Sequence, residues 1–239
     1  MPPFENSSRY YQNPYVVDLK KVKTVSLSQV MGLLSFMFLA MAAGAFLVPP
    51  QYFMPAFILE FALLFIIPIV NRQSVVRGND PAAGLTTGLA LLFAACAGAV
   101  LGPVVQALAA TTDGLVVLGQ AALVTFVVFG AFGAYGVLTK RNLSIMAKAL
   151  FIGLLVLLGI LILSMFFSSF FSPYGLLIGI GGAILFSLLT ALDFQRAKYS
   201  SADNAVLVTL NIFLDFVNLF TFILNIFLIF GGGGGMRKR

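Results

Sequence analysis

Long apolar runs separated by short polar connections dominate the pattern along this chain. Seven of them reach or approach the roughly 20 residues that an α-helix needs to cross a bilayer. The predicted spans are Val30–Val48, Phe53–Val70, Leu85–Ala109, Leu115–Leu138, Ala149–Phe167, Gly175–Leu192 and Ala205–Phe230. Proline, glycine, serine and aspartate gather in the connections, as is typical of turns. The pattern predicts an all-α membrane protein with seven transmembrane helices.

Lysine and arginine are confined to alternate connections, and this asymmetry predicts the orientation of the chain. They precede the first span and follow the second, fourth and sixth spans: Arg9, Lys20, Lys21, Lys23, Arg72, Arg77, Lys140, Arg141, Lys148, Arg196 and Lys198. Short loops rich in these residues stay in the cytoplasm. We therefore expect a cytoplasmic N-terminus, in a bacterial plasma membrane or, as the alternative, an internal eukaryotic membrane.

Three regions are predicted along the chain. An N-terminal arm covers residues 1–24, the helical bundle covers 25–230, and a flexible basic tail covers 231–239. The arm has no cleavable signal peptide, so the first apolar run should remain as an anchor. Seven full crossings place the tail outside, whereas a last segment that re-enters and returns would place it inside. We favour seven crossings, because the last apolar run is long enough to span.

Composition supports this class and excludes several functions. The chain of 239 residues is 60% hydrophobic and 9% charged, with a mean hydropathy of +1.04, whereas soluble domains carry about 25% charged residues. It contains no histidine, which excludes histidine metal sites and catalysis by Ser-His or Cys-His pairs. No phosphate-binding or G-x-S-x-G motif is visible. We expect no enzymatic activity, no cofactor and no nucleic-acid partner.

Two aspartates within the apolar runs are the strongest candidates for chemistry. Asp193 lies in LLTALDFQRAK at the end of the sixth span, and Asp215 lies in LNIFLDFVNLF within the seventh. An ionised carboxylate in hydrocarbon costs roughly 2.5 kcal/mol or more, so such residues usually mark an ion or proton path. A short hairpin joins the two spans, so the carboxylates should titrate as a unit. If they meet, they form a pH sensor and a hard-oxygen site for Ca²⁺. Alternatively, Asp193 pairs with Arg196 or Lys198.

A polar stripe follows one face of the last span. At 100° per residue its members fall within an arc of about 80°: Asn204, Asn211, Asp215, Asn218 and Asn225. Such a helix is best placed at the centre of the bundle, with its seam facing other helices or water. The asparagines alone could instead join helices by hydrogen bonds. We expect Asn211, Asn218 and Asn225 to line a pore or polar seam.

A third acidic residue lies within the second span. Glu60 stands in the middle of FILEFALLF, with no basic residue predicted at its depth. It is protonated, hydrogen-bonded to an amide such as that of Asn225, or facing the same cavity as the aspartates. We expect Glu60 to belong to the pore or polar seam.

The two aspartate motifs, together with seven spans and short loops, resemble the Bax inhibitor (transmembrane Bax inhibitor motif) family, and its bacterial members most. The resemblance covers the whole chain in topology and is specific over residues 190–230. It implies six helices around the last one, and a pH-dependent calcium leak gated by Asp193 and Asp215. Glu60 matches the family pattern, whereas Asn225 stands where relatives commonly carry arginine. Arg72 is a candidate ion-pair partner for Asp193.

Four functional hypotheses follow. The first is a pH-sensitive Ca²⁺ leak channel that exchanges Ca²⁺ and protons at the aspartate pair. The second is an adaptor that regulates a membrane protease or a stress pathway of the cell-death type through the arm 1–24 or the tail. A proton-coupled transporter is weaker, because we see no internal repeat. An intramembrane enzyme is weakest. Replacing both aspartates by asparagine and deleting the termini would separate the first two.

Overall fold

The computed structural model describes residues 26–76 and 84–234, and these residues are helical almost throughout. The α-helices are α1 (Leu27–Leu47), α2 (Phe53–Val76), α3 (Leu85–Ala109), α4 (Thr112–Leu138), α5 (Ser144–Phe166), α6 (Ser168–Phe171), α7 (Gly175–Tyr199) and α8 (Ala205–Gly234). Within the described ranges, seven of the segments are long and apolar enough to cross a membrane. The predicted all-α, seven-span fold is therefore confirmed, and α6 is a short turn before α7.

The ends of several helices differ from the prediction. Helix α3 has the predicted bounds, whereas α5 begins at Ser144 rather than Ala149. Helix α7 continues seven residues past Leu192, because the polar sequence that follows still buries Phe194 and Ala197 against the bundle. Asp193 therefore lies inside the helix and not at its end.

Helix α8 also runs beyond its predicted end at Phe230. It continues to Gly234, so the first four residues of the predicted flexible tail are helical. Glycine weakens a helix in water, but a backbone near hydrocarbon must satisfy its hydrogen bonds internally, which favours continuing the helix. The arm 1–24 and residues 235–239 lie outside the described residues.

Close backbone contacts between helices are made at glycines. A Cβ atom at Gly98 of α3 would overlap the carbonyl oxygen of Met41 in α1, and one at Gly44 of α1 would overlap that of Ala95. Gly136 of α4 meets Ala191 of α7 in the same way. Small residues at such crossings let helices approach closely in a membrane.

Helix α8 contacts α7, α4, α1, α3 and α2, while α5 packs mainly on α7. The side of α8 that faces α1 and α3 includes Phe213, which is fully buried and packs against Phe38 and Phe93. Phe213 and Phe216 form an aromatic cluster with Phe38 of α1. The other side of α8 faces a cavity towards α5. A complete ring of six helices around α8 stays a prediction.

A buried glutamine fixes the connection between α4 and α5. The side-chain oxygen of Gln195 accepts a hydrogen bond from the Leu143 N–H at 2.8 Å, and its amide nitrogen donates to the Arg141 carbonyl at 2.7 Å. Gln195 is only 6% exposed. Lys198 adds a third bond, donating to the Val137 carbonyl at 3.3 Å. The polar end of α7 thus anchors the start of α5.

We expect Gln195→Leu to lower the free energy of unfolding by about 2–3 kcal/mol, since it removes two hydrogen bonds and leaves a buried N–H without a partner. Thermal unfolding of the purified protein in detergent measures this change. Gln73→Leu is the matched control, because Gln73 is exposed on α2 and should be replaceable with little effect. Equal unfolding temperatures for the two variants would contradict the anchoring role.

Candidate functional site

Asp193 and Asp215 line one cavity, as their positions on consecutive long helices predicted. The cavity has a volume of about 550 Å³ and lies between α5, α7 and α8. The two residues are 8% and 5% exposed. They lie close enough for the charge of Asp193 to act on Asp215. The structure therefore brings together the two carboxylates that the sequence singled out.

The ion pair of Asp193 is made with Arg196. Arg196 Nη1 lies 3.1 Å from Asp193 Oδ1, one helical turn further along α7. The predicted partner Arg72 instead lines a separate cleft on α2 with Ile69 and Gln73. Within the described residues no ion pair joins Asp193 to Arg72, whereas Arg196 on the same helix reaches the carboxylate without any approach between helices. The local alternative considered from the sequence is the one that forms.

Asp215 differs from Asp193 in having an unpartnered oxygen. Its Oδ2 is buried and makes no hydrogen bond within the described chain. The surrounding wall is largely aliphatic or aromatic and includes Leu157, Leu189 and Phe222. Buried polar atoms are normally satisfied, and an exception calls for an explanation such as a bound ion or water. This oxygen is the clearest candidate in the cavity for contact with a cation or proton.

The polar stripe of α8 follows a series of three cavities. Asn211 lines both a cavity at the predicted cytoplasmic end and the central one, and Asn218 lines the central one. Asn225 lines a third cavity of about 330 Å³, beside Ser164 and Ser168. Neighbouring cavities share residues of their walls, such as Asn211 and Phe222. From Asn211 to Asn225 the stripe covers about 21 Å along the helix.

The asparagines of the stripe do not join helices here. Asn218 Nδ2 donates to the Leu214 carbonyl of its own helix at 2.8 Å, and Asn204 Nδ2 reaches Ser201 in the turn before α8 at 3.2 Å. Asn211 and Asn225 are exposed to the cavities and form no hydrogen bond with the part of the chain that the structure describes. Their amide groups are available to a solute or to water.

Glu60 lies apart from this seam. It is half-buried on α2, close enough for its charge to act on Cys96 of α3. It lines none of the three cavities along α8. No hydrogen bond joins it to Asn225 in the described ranges, so that predicted contact is not formed. Cys96 is buried and free, in keeping with a small apolar role.

Several buried polar residues were not identified from the sequence. Asn71 of α2 is 2% exposed and donates to the Asp203 carbonyl in the α7–α8 connection at 3.2 Å. Gln106 of α3, which is half-buried, donates to the Ala45 carbonyl at 2.8 Å. Asn71 follows the predicted end of its span and therefore looked like a loop residue. A polar side chain just beyond an apolar run is the signal that could have found it.

The cavity offers few ligands for a permanently bound metal. Among the described residues, no group of three or more acidic, cysteine or histidine side chains is placed to hold a metal ion. Ca²⁺ prefers six to eight oxygen ligands. The predicted Ca²⁺ site at Asp193 and Asp215 would rely on two carboxylates, the amide oxygens of Asn211 and Asn218, and water. Such a site suits transient contact better than tight binding.

Seven helices long and apolar enough to cross a membrane, with two buried aspartates in a cavity between α5, α7 and α8, define a multi-pass integral membrane protein. The family described as "Inhibitor of apoptosis-promoting Bax1" matches residues 23–232. The chain therefore belongs to this Bax inhibitor-like family, and the resemblance noted from the aspartate motifs is confirmed.

Relatives of similar length occur in several bacteria. An uncharacterized protein of Campylobacter jejuni is 32% identical over 186 residues, which cover 77% of this chain and 76% of the relative. An uncharacterized membrane protein of Streptococcus pyogenes is 32% identical over 186 residues, with coverage of 74% and 75%. An uncharacterized protein of Helicobacter pylori is 30% identical over 173 residues, with coverage of 72% and 74%. The match to the Streptococcus relative supports the membrane assignment.

Proposed function

We propose that this protein is a pH-sensitive Ca²⁺ leak channel in which Asp193 and Asp215 form the sensor and gate. The observation that carries the proposal is the shared cavity of the two carboxylates, in which Asp215 Oδ2 has no partner. A chain that needed only to span the bilayer would be more stable with leucine at position 215. A buried, unpartnered carboxylate at this depth is best explained by a role in moving cations or protons.

The polar face of α8 is the proposed path. Asn211, Asp215, Asn218 and Asn225 supply oxygen atoms at intervals of one to two helical turns along the three cavities. Conduction requires sites that bind a cation well enough to admit it and weakly enough to release it. Two carboxylates assisted by amide oxygens meet that requirement for Ca²⁺. In this proposal α8 is the central helix of the bundle and its seam faces the path.

Protons and Ca²⁺ compete at the carboxylate pair. Two carboxylates in a poorly solvated cavity cannot both ionise cheaply, so they share protons as a unit. Protonation removes charge from the pair and weakens its hold on Ca²⁺, and bound Ca²⁺ opposes protonation by the same factor. The ion pair with Arg196 keeps Asp193 at the mouth of the cavity. Flux through the seam therefore depends on pH.

The proposed setting is a bacterial plasma membrane with the N-terminus in the cytoplasm. Basic residues before the first predicted span and after the second, fourth and sixth predicted spans support this orientation, and the relatives described above come from bacteria. The first cavity, lined by Lys140 and Arg141, then opens on the cytoplasmic side. The third cavity, beside Asn225, opens on the opposite side.

Calcium flux into proteoliposomes across about pH 5–8 tests the proposal. The wild-type protein should give a flux that depends on pH, and Asp193→Asn/Asp215→Asn should lose this dependence. Asp113→Asn is the control, because Asp113 is exposed in the first turn of α4 and remote from the cavity. A flux no greater than that of protein-free liposomes at any pH, from protein with intact helical structure, would contradict the proposal and favour the adaptor hypothesis.

A further inference from the structure

A cationic cavity lies at the predicted cytoplasmic end of the bundle. It has a volume of about 540 Å³, and its wall includes Lys140, Arg141 and Arg196. Asp193 is the one acidic side chain in that wall, and Arg196 takes up its charge. The side chains of Lys140 and Arg141 are exposed and form no hydrogen bond or ion pair with the described chain. Among the described residues, these two positive charges of the cavity wall therefore have no partner.

The cationic cavity continues into the central cavity, which forms a cleft with an apolar wall on its α5 side. The central cavity shares Asp193, Arg196 and Asn211 with it. On the α5 side the cleft is lined only by apolar side chains: Ala147, Phe151, Leu154, Leu157, Leu158 and Leu161. The distance along α5 from Ser144 to Leu161 is about 25 Å. This length exceeds the depth of one leaflet, about 15 Å.

We infer that these two cavities together bind one anionic phospholipid. Its phosphate lies against Lys140 and Arg141, and one acyl chain lies along α5 in the cleft. Basic pockets between transmembrane helices on the cytoplasmic side are typical binding sites for anionic headgroups. Each cavity falls within the size range of small-molecule pockets, about 300–1,000 Å³. The lipid covers the gap that the loose packing of α5 leaves beside α8.

The combination of charge and hydrophobicity selects this occupant. A soluble phosphate compound would use the cations but leave the apolar wall of α5 uncovered, whereas a zwitterionic lipid would fill the cleft but place its choline group beside the cations. Only an amphiphile with a net negative headgroup matches both parts. The test of this inference measures lipid binding rather than ion flux, so its failure is distinguishable from failure of the proposed leak. A lipid bound in the central cavity would occupy the proposed path along α8.

Native mass spectrometry of the full-length protein in detergent tests this site. The wild type should bind one molecule of dioleoyl phosphatidylglycerol tightly, and any further molecules more weakly. Dioleoyl phosphatidylcholine and glycerol 3-phosphate should bind much more weakly. Lys140→Gln/Arg141→Gln should weaken phosphatidylglycerol binding roughly 30-fold, since each cationic residue near the headgroups contributes about fivefold. Equal binding of the two lipids, or equally tight binding of glycerol 3-phosphate, would overturn the inference.

Two matched controls separate this site from general lipid contact. Arg72→Gln/Lys148→Gln removes two positive charges on the same predicted membrane face but outside the cavity lining, and it should change binding less than about threefold. Leu154→Trp fills the cleft and should weaken binding, whereas Leu155→Trp on the same helix is outside the cleft lining and should not. If the two double charge variants lose lipid binding equally, or if the two tryptophan variants do, the lipid contact is nonspecific and the inference is overturned.

Discussion

Replacing Gly98 by alanine should severely destabilise the protein. The added Cβ would overlap the Met41 carbonyl oxygen and lie 2.9 Å from the Ala45 N. Both are backbone atoms of α1, so neither can rotate away, and the helices must separate. Overpacking usually costs 1–3 kcal/mol, and we expect about 3 kcal/mol or more at this backbone contact. Thermal unfolding and size-exclusion chromatography in detergent measure the loss.

Gly88→Ala is the control for this prediction. Gly88 lies on the same helix, and nothing stands within 4 Å of a Cβ built there. Alanine has the higher helix propensity, by about 1 kcal/mol in water, so this variant should be as stable as the wild type or slightly more stable. An unfolding temperature for Gly98→Ala within about 2 °C of the wild type would show that the α1–α3 contact is looser than the structure indicates.

Replacing Asn218 by leucine should strongly reduce Ca²⁺ flux. Asn218 lines the central cavity, one turn from Asp215, where the proposed path is otherwise mostly apolar. A cation at membrane depth that loses an oxygen ligand gains no compensating water. We expect a reduction of about tenfold, which corresponds to about 1.4 kcal/mol. Flux measured in proteoliposomes at a fixed pH gives this ratio.

Thr221→Leu provides the matched comparison. Thr221 lies one turn further along α8, donates its hydroxyl to the Val217 carbonyl of its own helix, and is outside the lining of the central cavity. It should retain flux within about twofold of the wild type. If the two variants lose flux equally, the seam is not the path, and the effect of Asn218→Leu reflects altered packing of α8.

Hydrophobic run length was enough to predict the fold, but not the ends of the helices. Spans are set by the thickness of the bilayer, so seven apolar runs predict seven helices. The polar continuation of α7 could not be recognised by hydropathy, because residues such as Gln195 are buried by hydrogen bonding to a neighbouring connection rather than by apolar contact. The same reason explains why Asn71 was missed.

The candidate site was predicted in its residues but not in its pairing. Helical periodicity places Asn211, Asp215 and Asn218 on one face whatever surrounds them, and that face lines the cavities. Which cation would meet Asp193 depended on the packing of α2 and α7, which a single sequence does not specify. The separation of Glu60 from the seam has the same origin. Positions along one helix, and the approach of Asp193 and Asp215 on consecutive helices, were thus predictable, whereas contacts with more distant helices were not.

The most direct test of the carboxylate pair compares single and double substitutions. Calcium flux across about pH 5–8 is measured for wild type, Asp193→Asn, Asp215→Asn and the double variant. If the two carboxylates titrate as a unit, each single substitution should remove most of the pH dependence of the flux. The double variant should then lose little more pH dependence than either single variant. If the pH dependence survives in the double variant, or the two single effects simply add, the pair is not the sensor and the central claim is contradicted.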